Sequence, residues 1–594
     1  MESFFKGMLP FLRSHLQRAL SIREKIRINE ETFHLLLASV VGIIGGLTNL
    51  AFYICVEVVM VWILHGTGDV VTIASHMPAW QRLITPAFGG LLAGLVLFWG
   101  LRLIKNQAPS NILEVVVSGN GKLPMRTALV KGLSSLLSIG TGASIGREGS
   151  IVQLSATFAS KFGMLAKWPP YRLRLLVACG AAAGLSSAYN APVAGSIFAA
   201  QIVLGNFSMN LFAPLIVASV VSTMLSRYFF GIRTFYEVPQ FDFTNLAQLP
   251  WFLVLGIGSG VLAAVFLKLL RKSEDLFGML KIPLYARTAL GGVFVGVLAI
   301  WYPAVWGNGY GAINEILHYP LTTWLLFGLF LAKLIAILAA VGSGAVGGVF
   351  TPTLFLGAAL GSLFGAVLNQ LHWTTLPNGA FALVGMGSVL AGTIHVPLLA
   401  MIMIFEISLN YSIMPPLMLA CALSTLVARR LHPDSVYTEP LRRKGITAHP
   451  ELERIGEATQ TFVGELMRDP IPPVRETDNF QQLAARFLTN SNNFLPVVDQ
   501  NQRFLGLVAL HDLKEYLNSG NEMDGVIAFD VMRPPPPCLT PNQKLVDAFP
   551  TLLASELRHV PVVNNNIEFR LVGSIRRSEA LNVLSEALAA KRAS

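Results

Sequence analysis

Charge is scarce in this chain. Only 13% of its 594 residues are Asp, Glu, Lys or Arg, about half the share usual in soluble domains, which excludes a soluble enzyme of this length. With 53% hydrophobic residues and a mean hydropathy of +0.57, a disordered chain is excluded as well. Cysteine is scarce too. Cys55, Cys179, Cys421 and Cys538 lie far apart with no metal-ligand or C-x-x-C spacing, so neither a metal site nor a disulfide framework is expected. No signal peptide is visible, because the first long apolar stretch starts after residue 30 and lacks a cleavage-like end. What remains is a polytopic membrane domain with a polar appendage. The net charge of +10 then reads as basic cytoplasmic loops on anionic lipid, with no nucleic-acid partner.

Residues 1–30 mix Phe and Leu with Lys and Arg and read as a basic interfacial segment on the cytoplasmic side. Phe33 to Leu64 is long enough to cross a bilayer. Further apolar segments run at about 81–104, 125–144, 151–164, 174–188, 192–204, 210–228, 249–271, 285–303, 322–341, 353–370, 380–392, 395–409 and 413–430. Several are too short to cross alone, and Gly or Pro interrupts many of them. Such segments are tolerated only when packed in protein or lining an ion pathway, so the pattern suggests a transporter or channel. Basic residues cluster at Arg102 and Lys105, from Lys161 to Arg174, from Lys268 to Lys281 and from Arg429 to Lys444. That distribution predicts a multi-pass protein of the inner or plasma membrane with both termini cytoplasmic.

Two repeats are legible. Gly180 aligns with Gly387 at an offset of 207 (387 − 180), Pro192 with Pro397 at 205, and Ser222-Thr223 with Ser424-Thr425 at 202. The turns Gly146-Arg-Glu-Gly149 and Gly347-Gly-Val-Phe-Thr-Pro352 correspond in the same way. Two halves, about 31–230 and 249–431, are therefore expected as repeats with a site between them. The second repeat is polar. Val463-Gly-Glu-Leu-Met467 returns as Ala528-Phe-Asp-Val-Met532, and Leu495-Pro-Val-Val-Asp499 as Val560-Pro-Val-Val-Asn564, both shifted by 65 (528 − 463; 560 − 495). A pair of small α/β units is predicted at about 461–520 and 526–590, joined to the membrane part by a charged linker over 432–460.

An anion pathway needs partial positive charge without tight binding, and backbone N–H groups at helix N-termini supply it. Gly146-Arg147-Glu148-Gly149 opens one apolar helix and Gly347-Gly348-Val349-Phe350-Thr351-Pro352 opens another. Gly lets the backbone approach an ion closely, and Pro suits a first helical turn. A carboxylate at Glu148 would compete with the anion for these donors and leave on protonation, which makes it a candidate gate. The plain alternative is a first-turn glutamate complementing the helix dipole. Inside a membrane domain, an ionisable side chain is functional by default.

These motifs, with Asn190-Ala-Pro192 and Tyr437 beyond the last apolar segment, resemble the CLC family of chloride channels and proton-coupled chloride antiporters. The polar repeat resembles a tandem pair of CBS domains. The likeness covers about residues 30–590. It implies an all-α polytopic membrane domain of inverted repeats of tilted, broken helices with a C-terminal α/β CBS pair, assembled as a homodimer with one pathway per subunit. It also implies that Glu148 is the gate. Gly146, Arg147, Gly149, Gly348, Val349 and Phe350 then surround the anion, and the Tyr437 hydroxyl closes its inner end, although Tyr437 also suits an interfacial aromatic anchor. Two departures stand out. The Gly-Ser-Gly-Ile-Pro signature is absent; the anion-coordinating serine position falls near Gln107, and Ser110 would serve only after a shift. Anion selectivity is therefore open. The internal proton-glutamate position reads Gln201-Ile202, and Ile202 holds no proton, which favours uncoupled, channel-like movement. Glu406 occupies the matching place in the second repeat, where a structural buried carboxylate is the simpler reading.

CBS pairs often bind adenine nucleotides through an Asp. Here Asp512 is retained in Gly506-Leu-Val-Ala-Leu-His-Asp512 and Ala509 replaces the usual Thr. The second copy has Arg576 and Glu579 instead, where Arg576 or Arg577 would be the phosphate partner and a solvated surface arginine is the simpler reading. The expectation is transmembrane transport of chloride or another small anion, passive and gated by Glu148, with chloride/proton exchange as the alternative. No cofactor is required, and an adenine nucleotide at the CBS pair is an option. Two rivals are weaker. A serine hydrolase built on Ser343 and His395 has nothing in the spacing to bring nucleophile and base together. A divalent-cation transporter would need more intramembrane carboxylates than the chain holds.

Overall fold

The computed structural model describes residues 30–104, 111–117, 120–205, 207, 209–231, 236–241, 243, 246–446, 462–489, 492–513, 525–555, 557–565 and 567–580. All but the last residue of the predicted 1–30 segment, the whole 447–461 stretch and Gln107 with Ser110 lie outside the described residues. The chain forms two compact units, Met1–Ala448 and His449–Ser594.

Helices build the first unit. Its first half holds α1 (Glu30–Leu64), α2 (Val70–His76), α3 (Ala79–Leu103), α4 (Ile112–Val117), α5 (Met125–Gly140), α6 (Glu148–Leu165), α7 (Pro170–Tyr189), α8 (Pro192–Phe198) and α9 (Met209–Phe230). Its second half holds α10 (Leu249–Met279), α11 (Leu284–Trp301), α12 (Tyr310–His318), α13 (Thr323–Gly342), α14 (Phe350–Gln370), α15 (Asn378–Ile394), α16 (Pro397–Ser408) and α17 (Met414–Leu431), followed by α18 (Glu439–Arg443). Among the described residues, seven helical stretches are long and apolar enough to cross a membrane. Large apolar side chains such as Trp62, Trp99, Trp301 and Trp324 are exposed on outer faces, as suits a bilayer but not water. α7 and α15 are buried along almost their whole length and form the centre.

The halves are copies. α7 and α15 each end on a left-handed residue, Asn190 (φ 60°) and His395 (φ 60°), before a Pro that starts the next helix. Ser222 Oγ donates to Ala183 O at 2.7 Å, and Ser424 Oγ donates to Ser388 O at 2.6 Å, so the serine pairing at 202 is also a pairing of bonds. The glycine pairing needs correction. A Cβ at Gly180 would meet Ser155 O of α6 at 2.7 Å, and one at Gly385 would meet Gly357 O of α14 at 2.3 Å. Since 155 and 357 are themselves 202 apart, the partner of Gly180 is Gly385 (offset 205), not Gly387. Backbones this close leave no room for any side chain, which is why Gly stands at both crossings.

One segment breaks the regular pattern. α8 continues as a π turn over Ala199–Leu204, a feature that recurs at functional sites. It carries Gln201 and Ile202.

The second unit repeats at 65. α19 (Val463–Leu466) matches α21 (Ala528–Val531), α20 (Phe480–Thr489) matches α22 (Leu545–Ala554), and β2 (Phe494–Val498) matches β4 (His559–Val563). β1 (Val474–Arg475) pairs in parallel with β2 at Val474–Val497; the same bridge recurs at Leu539–Val562. β3 (Phe504–Ala509) and β5 (Leu571–Arg576) run antiparallel to their neighbours, with Val497 opposite Gly506 and Val562 opposite Gly573. Leu495, Val497, Val508, Val560, Val562 and Ile575 are buried; the inward side chains of these short strands face the helices and make a core for each copy.

Candidate anion site and gate

The starts of α6 and α14 meet at a single two-bond bridge. Gly146 N–H donates to Gly348 O and Gly348 N–H to Gly146 O, both at 2.7 Å. The two residues are repeat mates (348 − 146 = 202). Each therefore pairs with its own counterpart, which places the axis relating the halves at this bridge. The bridge has a chemical consequence. The amides of Gly146 and Gly348, expected as anion donors, are occupied by each other. The first-turn N–H groups that follow have no carbonyl within their own helices. Gly149 and Phe350 belong to this set, and Val349 caps the second helix.

Beside the bridge lies a cavity of about 610 Å³. Glu148, Gly149, Gly348, Val349, Phe350 and Tyr437 all line it. Gly146 and Arg147 do not. Arg147 is buried, with its guanidinium 5.4 Å from the ring centres of both Tyr53 and Tyr310; it packs behind the helix start and does not face the cavity. The ring of Tyr437 meets Phe198 edge to face at 5.8 Å. Ile202 lines the wall at the place where an acid was sought, whereas Gln201 lies off it. Asn111 lines it as well and accepts the Leu113 N–H at 3.1 Å, at the start of α4. Lys131, Arg271, Glu274, Glu439, Arg443 and Lys444 also line the cavity. Ion pairs tie several of them, Lys444 to Glu114 at 2.6 Å and Arg271 to Glu439 at 3.6 Å.

Glu148 is 1% exposed and is the first residue of α6. Its Oε1 accepts from Thr351 Oγ1 at 2.5 Å and from Tyr310 Oη at 2.9 Å. Its Oε2 turns toward the bridge, close to the Gly146 and Gly348 backbones, where a side chain on Gly146 would strike it. Tyr189 Oη in turn lies 2.7 Å from Thr351 Oγ1. Sequence reasoning missed Thr351, Tyr310 and Tyr189. Thr351 sits inside the motif that opens α14, so its position was available. Tyr310 opens a helix that followed no long apolar run, and only the Gly307-Asn-Gly309 turn before it marked the place.

Tyr310 is fixed in turn by a buried lysine. Lys333 on α13 is fully buried, and its Nζ donates to Val305 O and Gly307 O, both at 2.9 Å. Those carbonyls belong to the turn that leads into α12. A buried amino group needs acceptors close by, and here these carbonyls tie the turn to α13.

Glu406 has a different task. Its Oε1 accepts from Val193 N–H at 2.9 Å and its Oε2 from Ala194 N–H at 2.7 Å, so it caps the start of α8.

In the second unit the expected nucleotide residues do not meet. A cleft of about 160 Å³ between the copies is lined by Asn492, Asn493, Arg558, His559 and Ser574 among others. Asp512 is instead ion-paired to Arg533, with Arg533 Nε 2.7 Å from Oδ2, and exposed Arg576 lies off the cleft wall. Partial burial, then the charges of Arg576, Arg558 and Arg468, push the His559 imidazole below its ordinary range, so it enters the cleft neutral at pH 7.

Repeated halves of broken helices, with equivalent helix starts converging on a carboxylate-bearing cavity, define a multi-pass membrane transport protein. Comparison narrows the class. A family model described as voltage gated chloride channel matches residues 89–429, and a CBS domain model matches 463–519 and 527–586. A ClcB-like chloride channel protein of Ralstonia nicotianae is 41% identical over 418 residues, covering 69% of this chain and 96% of that relative. The voltage-gated ClC-type chloride channel ClcB of Escherichia coli O81 is 36% identical over 416 residues, covering 68% of this chain and 98% of its own. The chain belongs to the CLC family of chloride channels and transporters. The crystal structure of a slow cyanobacterial Cl⁻/H⁺ antiporter superposes with a TM-score of 0.62 at 27% identity, over 70% of this chain and 98% of that one. A eukaryotic CLC transporter shares the fold over 92% of this chain and 97% of its own, with a TM-score of 0.58 at 19% identity.

Proposed function

We propose that this protein conducts chloride, or another small anion, passively through one pathway per subunit, with Glu148 as the gate. The observation that carries the reading is the buried Glu148 carboxylate at the cavity wall, on the first turn of α6. The first-turn N–H groups of α6 and α14, with the positive ends of both helix dipoles, attract an anion without trapping it. The ionised carboxylate competes for that field, and protonation removes the competitor. Gly149, Val349 and Phe350 supply the backbone donors, and the Tyr437 hydroxyl bounds the site on the opposite side. Ile202 on the cavity wall offers no carboxylate to carry a proton inward, which supports uncoupled flux.

The test is simultaneous chloride and proton flux from proteoliposomes at two pH values, wild type beside Glu148→Ala. Chloride efflux without proton uptake, losing its pH dependence on substitution, is expected. Proton uptake driven uphill by chloride would overturn the passive reading. It would favour the second one, chloride/proton exchange, which the likeness to the cyanobacterial antiporter supports; Glu439 and Glu274 are then the carboxylates on the cavity wall beyond Glu148.

The basic clusters support a reading with both termini on the cytoplasmic side of the cell membrane. The family likeness supports a homodimer, to be checked by light scattering in detergent. Adenine nucleotide at the CBS pair is a subsidiary reading. The inter-copy cleft falls below the usual range for a site enclosing a whole small molecule, and Asp512 would have to leave Arg533. A thermal shift of the full chain with ATP or AMP is its test, and none at millimolar nucleotide would dismiss it.

A further inference from the structure

The hydroxyls around Glu148 form a chain with a fixed direction. Thr351 has one hydroxyl hydrogen. With the carboxylate ionised, Glu148 Oε1 only accepts, so that hydrogen points to Glu148 and the Tyr189 hydroxyl must donate to Thr351. Tyr310 adds a second donor to the same oxygen. Two O–H groups, one of them polarised from behind by a third, thus converge on one carboxylate oxygen in a site closed to solvent. Tyr189 is 2% exposed and Thr351 is fully buried. The donors come from three separate elements, the end of α7, the start of α12 and the first turn of α14. Charge-assisted hydrogen bonds of this kind are about twice as strong as neutral ones, and hydrogen bonds to the charged form favour it over the neutral acid.

We infer that Thr351 and Tyr310, with Tyr189 behind Thr351, are positioning residues that hold the Glu148 gate closed and set the pH at which it opens. The inference rests on the reading of Glu148 as the gate. Among the described residues, the other ionisable groups around the carboxylate are Arg147 on the same turn, Tyr236 in the segment before α10 and Tyr437 across the cavity, with Tyr53 on α1 beyond Arg147. Tyr236 packs edge to face on Tyr310 at 4.9 Å, and Arg147 lies over Tyr310 on another side. The rings therefore fix where the Tyr310 hydroxyl points, while Lys333 fixes the turn that carries it.

The direction follows from the geometry. Opening requires protonation of a carboxylate whose Oε1 accepts from two hydroxyls, those of Thr351 and Tyr310, with Tyr189 behind Thr351. Each donor removed makes protonation easier, so the gate opens at higher pH.

The experiment measures the pH of half-maximal chloride flux in proteoliposomes of the full-length protein. Thr351→Val and Tyr310→Phe are each expected to raise it by about 1 to 2 pH units. Tyr189→Phe should raise it less, because Thr351 can still donate. Thr351→Ser restores the hydroxyl and should return the midpoint toward wild type, which a purely steric role for Thr351 would not require. If Thr351→Val fails to fold, Tyr310→Phe and Tyr189→Phe still decide. A midpoint that stays put or falls in Thr351→Val and Tyr310→Phe, while Glu148→Ala abolishes pH dependence, leaves the gate standing and overturns this inference. Persistent pH dependence in Glu148→Ala overturns the gate itself, and this inference with it.

Discussion

Glu148 and Glu406 show how one side chain takes two kinds of work from the same kind of helix end. Glu148 sits within its own helix start and borders the cavity, the position that the proposed gate requires. Glu406 comes from the last turns of α16 and lays both oxygens on the N–H groups of Val193 and Ala194, at the start of a helix from the other half. It is already satisfied and does not line the cavity, which accords with the structural role read from the sequence. Such a cap is worth a definite amount. Glu406→Ala removes two charge-assisted bonds from partly exposed donors and should destabilise the protein by about 1–3 kcal/mol, read as a lower midpoint of thermal unfolding by tryptophan fluorescence in detergent. Glu406→Gln keeps one acceptor and should lose less. Equal midpoints for all three proteins would mean that water serves these N–H groups as well as the carboxylate does.

At the scale of elements, legibility in the sequence followed the strength of the local signal. Long apolar runs announced α3, α9, α10, α11 and α13 to within a few residues or one turn, except that α10 runs on through the charged stretch to Met279, where Lys, Arg, Glu and Asp remain good helix formers outside the apolar zone. The short helices α2, α4 and α12 were not read at all. None has the length or apolarity to stand out, and tertiary packing decides them. The Gly-rich openings of α6 and α14 were legible as corresponding turns. Their reciprocal bridge was not, because a pairing 202 residues apart leaves no local trace. For the same reason Gly146 was expected to offer an amide to an anion that it gives to Gly348 instead. Tyr189, Tyr310 and Thr351 meet only once three elements are packed, and no spacing rule reaches across them. Gly180 was paired two residues out of register because a Gly/Ala-rich helix offers several equally good alignments, and only the backbone contact with Ser155 selects one.

For the whole molecule, the lengths of the relatives carry an argument of their own. The ClcB channel of Escherichia coli O81 is covered over 98% of its length by 68% of this chain, so the remaining 2% of that relative has no room for a CBS pair. The family fold is therefore complete without one, and here the pair is an addition to it. Everything that lines the cavity, from Asn111 to Lys444, also lies within the first compact unit. A chain ending at Ala448 should accordingly fold, reconstitute and pass chloride, with the same pH midpoint as the full-length protein and the same loss of pH dependence in Glu148→Ala. Any response of flux or thermal stability to ATP or AMP should vanish with the second unit, since the nucleotide reading weighed for the chain concerns residues of that unit. Side-by-side flux assays of the two lengths, normalised to folded protein, check both statements. A truncated protein that folds but no longer conducts would show that the CBS pair acts on the pathway directly, and that the gate at Glu148 is only part of what opens it.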